Sequence, residues 1–120
     1  MEIEIAEKLG DLLLNNTAVT AVIGNRFSPL YADENVNPPL ITYVINEGEP
    51  PTKDGMEQYD VFLALVFPKK GYTACMDMKK KVKAALHGSE FDFKGSDVSL
   101  DEDNLNVVCV LRFETFGISE

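Results

Sequence analysis

Residues 77–88, DMKKKVKAALHG, gather four lysines and the only histidine of a 120-residue chain whose net charge is −9. Three uses of such a stretch can be separated by what each requires. A metal or catalytic site built on His87 needs further ligands or a nucleophile. There is no second histidine, Cys75 and Cys109 are far apart without a CxxC spacing, and no GxSxG elbow is present, so neither zinc nor a histidine-assisted nucleophile is expected. His87 stands just before Gly88, after the last apolar residue of the run, where a cation suits the negative end of a helix. It is expected to cap. A phosphate cradle is not expected either, since the eight glycines are scattered singly and form neither GxGxxG nor GxxxxGK[ST]. The acidic run DVSLDEDN, Asp97 to Asn104, resembles a calcium loop only in part: Glu102 stands where the loop needs glycine, and Val108 where it needs the bidentate glutamate. A plain acidic turn is the simpler reading. No catalytic residue, metal ligand or cofactor is expected.

Twenty acidic residues against eleven basic ones argue against general duplex binding, which relies on a basic surface to release counterions from phosphate. The charge is unevenly spread. Between Lys69 and Lys83 six lysines face a single acid, Asp77, a net of +5, while the rest of the chain carries −14. Such asymmetry suits steering onto an acidic surface, that of a second copy included. A solvated helix face explains the lysines without any partner.

The elements that position these residues follow from periodicity. Ile5, Leu9, Leu12 and Leu13 share one helical face, with Glu2, Glu4 and Glu7 in the first turn where the helix dipole favours acids. Thr17 is expected to cap a short second turn, TAVTAVIG, ended by Gly24. Short extended runs follow: RFSPLYA, then PLITYVINE, then EQYDVFLALVF. The third is apolar on both faces over much of its length, so it is expected at the sheet centre. GEPPTKDG reads as a loop or hairpin arm.

In the lysine helix, Cys75, Met78, Val82 and Leu86 fall in a stripe roughly 80° wide, with Tyr72 and Ala85 at its margins. Lys79 and Lys83 flank that stripe, Lys80 lies further round, and Asp77 and Lys81 are four apart in the favourable order for an ion pair. Two further strands are expected, over residues 91–100 and 105–116, joined by the turn DEDN. The cysteines read as buried free thiols. Phe27, Tyr31, Tyr43, Phe62, Phe67, Phe113 and Phe116 read as core aromatics rather than a base-stacking platform. The whole predicts one α+β domain over residues 1–120: a single, mainly antiparallel layer of about five strands with two main helices on one face. With acids at the start of MEIEIAEK and no apolar run of membrane-spanning length, a cytoplasmic protein without membrane contact is expected.

The order of these features, DLLLNNTAVTAVIGNRFSPLYA, then NPPLITYVI, an alternating hydrophobic strand, a helix ending VKAALHG and a close on LRFETFGI, resembles the tail-completion or tail-terminator family of long-tailed bacteriophages. The resemblance spans nearly the whole chain, with motifs that are specific in order and individually weak. It implies an α+β subunit that assembles as a ring, commonly a homo-hexamer, on the end of the tail tube. That ring stops tube growth and offers a surface for joining the tail to the head. The implied partners are further copies of the chain, the tail tube protein and a head-completion or connector protein, with phage DNA passing through the ring without specific binding. The implied location is the virion tail, after assembly in the bacterial cytoplasm, from an active phage or a prophage. No catalytic residue is carried over.

On that reading Arg26 is an inter-strand or intersubunit ion-pair donor, and Lys79, Lys80 and Lys83 face a neighbour's acidic edge around Glu47, Glu49, Asp54 and Glu57. A second reading is a small cytosolic α+β ligand-binding or regulatory module, dimeric, holding an anionic metabolite beside the lysine helix.

Overall fold

The structure, a computed structural model, describes residues 2–29, 37–47, 56–101 and 105–118. Helix α1 spans Glu2–Leu14, α2 Thr17–Ile23 and α3 Tyr72–Leu86. The strands are β1 Phe27–Pro29, β2 Leu40–Glu47, β3 Met56–Phe67, β4 Asp92–Asp101 and β5 Asn106–Ile118. They form one sheet in the order β1-β2-β3-β5-β4. Every neighbouring pair is antiparallel except β1 and β2, which run parallel. The expected α+β layer is present, with three helices on one face.

Strand β3 is central, as its two-sided hydrophobicity requires. Its Tyr59, Val61, Leu63, Leu65 and Phe67 are buried, and in β5 so are Val107, Cys109, Leu111 and Phe113. The register places Val61 beside Phe113, Leu63 beside Leu111 and Leu65 beside Cys109, so both rows share the helix-side face. Onto it α3 lays Cys75, Met78, Val82 and Leu86, and α1 adds Ile5, Leu9 and Leu13. Both stripes are those set by helical spacing.

Local chemistry corrects the cap expected for the second helix. Asn16, not Thr17, is its N-cap: the Asn16 side-chain oxygen accepts from the amides of Ala18 and Val19 at 3.0 and 3.2 Å. The residue must be extended at this position, and asparagine reaches both orphan amides at once. Thr17 is already inside the helix. At the far end of α3 His87 stands at the C-cap position, where its backbone amide, rather than a charged imidazole, donates to the Ala84 carbonyl. Ser89 Oγ adds a 2.6 Å bond to the Leu86 carbonyl, and Gly88 takes a φ of 77° that disfavours other residues.

The last two strands run one to two residues beyond their expected ends. Phe116 departs from its expected place in the core, being 45% exposed. By alternation it lies on the sheet face that carries no helix. Tyr31 and the tip of the acidic turn, residues 102–104, lie outside the described residues.

Candidate functional site: two margins of the sheet

Helix α3 packs on β3 and β5, and β4 lies beyond it as an edge strand. This leaves a margin where the lysines of α3 look toward uncovered apolar side chains. Lys83 Nζ sits 4.2 Å from the centre of the Phe93 ring, which in turn meets Phe113 edge-on at 5.5 Å. Val98 and Leu100 pair with Cys109 and Val107, so both point to the helix side, yet they are 43% and 49% exposed. At the start of α3, Tyr72 is exposed as well. Helical spacing places Tyr72, Met76, Lys79 and Lys83 along the β4 side of α3, one above another. Lys80 is exposed further round, and Lys81 is paired with Asp77 at 3.0 Å, as the i,i+4 spacing implied.

The opposite margin is built from α1, β1 and β2. Ile3 and Ala6 of α1, with Pro29, Tyr43, Ile45 and Asn46, line a shallow hollow of about 290 Å³. Tyr43 stacks on Phe27, centroids 4.8 Å apart, which fixes the floor of the hollow. Ile3 is the most exposed large apolar residue described, at 74%. Glu47, exposed at the end of β2, alternates onto the same face as Tyr43 and Ile45, and Glu7 is exposed one helical turn beyond Ile3.

The residues singled out in the sequence are thus separated into groups. Lys79 and Lys83 share the α3 margin, Lys80 lies further round the same helix, and Glu47 belongs to the opposite margin. Glu57 enters β3 opposite Gly117, with its side chain outside the described residues, and Glu49 and Asp54 lie outside them altogether. Arg26 is engaged within the chain: its Nε donates to the Pro39 carbonyl at 2.7 Å and Nη2 to the Val22 carbonyl at 2.9 Å, tying the end of α2 to the start of β2. Sequence reasoning missed Val98, Leu100 and Phe93 as surface residues. The signal was present in the charged, glycine-interrupted run DFKGSDVSLD, a composition typical of an edge strand.

Among the described residues no catalytic geometry emerges. Cys75 and Cys109 are free and fully buried. Burial, with the Cys109 thiol adjacent, pushes the Cys75 pKa up to about 11, and burial also raises that of Cys109. Thiols held in the neutral form are poor nucleophiles. Among the described residues no group of three histidine, cysteine or acidic side chains is placed to hold a metal, and no helix is long and apolar enough to cross a membrane. A groove of about 440 Å³ runs between the end of α3 and β4, with Lys83, His87, Asp92 and Phe93 among its walls.

No protein-family model matches the sequence, and no curated protein matches it. The fold does match a solved chain, from a structure described as the virion of a native gene transfer agent particle. The TM-score is 0.78 at 12% identity, over 90% of this chain and 90% of that one. At that identity the two share a fold.

Proposed function

We propose that this chain is a structural, non-enzymatic component of a phage or phage-like tail. It forms a ring on the end of the tail tube, halts tube growth and helps join tail to head. The observation that carries the reading is the end-to-end fold likeness to a chain of a gene transfer agent virion. The order of sequence motifs supports the tail-end role independently. Paired margins of opposite charge also suit self-association, since complementary charge sets register and speeds encounter. In this mechanism the Lys79, Lys80 and Lys83 side of α3 meets a neighbour's acidic edge, to which Glu47, Glu49, Asp54 and Glu57 contribute, and repetition closes the ring. The other partners are the tail tube protein and a head-completion or connector protein.

The test is polymerisation of purified tail tube protein with and without the chain, followed by electron microscopy. The expected result is shorter tubes with a ring at one end. Unchanged tube lengths with no bound ring would contradict the proposal.

A second reading, the anion-binding module, draws on the groove beside Lys83 and His87. Asp92 in its wall opposes an anion there. A thermal-shift panel of phosphorylated and carboxylated metabolites decides it, because a ligand of the native state raises the melting temperature.

A further inference from the structure

We infer that the α3–β4 margin of one copy docks on the α1–β2 margin of the next, edge beside edge, with the helical layers on the same side. This rests on the ring-forming reading and names the surfaces that would meet.

The first argument is apolar. Of the large hydrophobic side chains that are exposed, Tyr72, Phe93, Val98 and Leu100 all belong to the α3–β4 margin, at 36% to 57% exposure. A clustered apolar patch of this kind marks an interaction site more often than scattered single residues do. The α1–β2 margin offers its complement, a hollow walled by Ile3, Tyr43 and Ile45.

The second argument is charge. Lys79 and Lys83 flank the apolar row, whereas the exposed acids Glu7 and Glu47 flank the hollow. Placed edge to edge, these four residues lie on the same side of the joined sheet. The open face agrees: Asp97 of β4 would come beside the uncharged Val44 and Asn46 of β2, beyond the stretch that β1 covers, since each belongs to the face opposite Val98 or Tyr43.

The third argument is the edge itself. Strand β4 has no strand partner on its outer side among the described residues, and β1 pairs only with Ile41, Thr42 and Tyr43 of β2. Unpaired edges are templates for association. A two-fold β4-to-β4 pairing would instead bring Lys79 and Lys83 against their own copies and Asp97 near its own copy, which like-charge repulsion disfavours. Because the two margins differ and lie at opposite sides of the sheet, the contact is head-to-tail, and its repetition gives a ring or a filament.

Charge exchange tests this. One variant carries K79E and K83E, the other E7K and E47K, and circular dichroism and melting confirm that each folds. Sedimentation velocity is run on the wild type, on each variant alone and on an equimolar mixture. Each variant alone should self-associate ~10-fold more weakly than wild type or worse, and the mixture should regain assembly because every contact again joins opposite charges. Folded variants that assemble like wild type, a mixture that stays dissociated, or a wild-type chain that stops at a dimer or remains monomeric each overturn the contact. The tail-end reading is judged separately on the same samples. Variants that still assemble and still cap tail tubes would remove the contact and leave that reading standing, whereas a wild type that assembles through these margins but ignores tubes would do the reverse.

Discussion

Lys83 places its ammonium 4.2 Å from the centre of the Phe93 ring, and this contact joins the lysine helix to the edge strand that no helix covers. Lys83 is exposed and Phe93 is 36% exposed, so the contact is open to water and its expected contribution is about 0.5–1 kcal/mol. In a double-mutant cycle of Lys83→Met and Phe93→Leu, urea denaturation should return a coupling of that size, and Lys83→Arg should keep it. A coupling of zero would show that the pair is only a neighbourly arrangement.

Arg26 bridges two carbonyls through separate nitrogens of one planar group. Lysine has no such fork. Arg26→Lys should therefore recover little of the loss caused by Arg26→Ala, roughly 1.5–3 kcal/mol for removal of charged hydrogen bonds. The readout is the urea midpoint at constant slope. Should either substitution weaken self-association and leave the midpoint alone, Arg26 acts between subunits rather than within one.

Asn16 satisfies two amides at the start of α2. Replacing it with alanine should cost about 1 kcal/mol, while Asn16→Asp or Asn16→Ser should cost little. Thr17→Ala should be milder than Asn16→Ala. The opposite ranking in thermal melts would return the cap to Thr17.

The buried thiol of Cys75 gives a pH dependence with a definite sign. Its ordinary pKa of 9.0 is raised to about 11 in the folded chain, first by burial and then by the neighbouring Cys109 thiol. The fold thus favours the neutral thiol. That contribution is fully present below pH 9 and is lost as pH rises toward 11, where the unfolded chain already holds the thiolate. Urea midpoints measured from pH 8 to pH 11 should fall, and the fall should be smaller in Cys75→Ala, once its own cavity cost is subtracted at pH 8. At pH 8, alkylation of the native protein should be far slower than that of the urea-unfolded chain.

Much of this fold is legible in the sequence because burial writes itself as period. Cys75, Met78, Val82 and Leu86 at helical spacing, and Tyr59 through Phe67 at strand spacing, define the two sides of the core before any coordinates are known. What the pattern does not carry is adjacency. Val98 and Leu100 alternate as a core strand would, and their exposure follows only from β4 lying at the sheet edge, beyond the reach of α3. Phe116 is exposed because its alternation carries it to the helix-free face. The parallel pairing of β1 with β2 likewise depends on how α2 and the Arg26 bridge turn the chain, not on composition. For the candidate site, the lysines were evident as a charge run. The hollow opposite them, assembled from α1, β1 and β2, had no local signature.

The most direct test of the central claim is the solution mass of the wild-type chain by light scattering, over a wide concentration range and at low and high salt. The account predicts a closed assembly of more than two copies that loosens as salt rises, because its register depends on Lys79 and Lys83 meeting acids. A tight dimer with the same mass at every concentration and salt would contradict it.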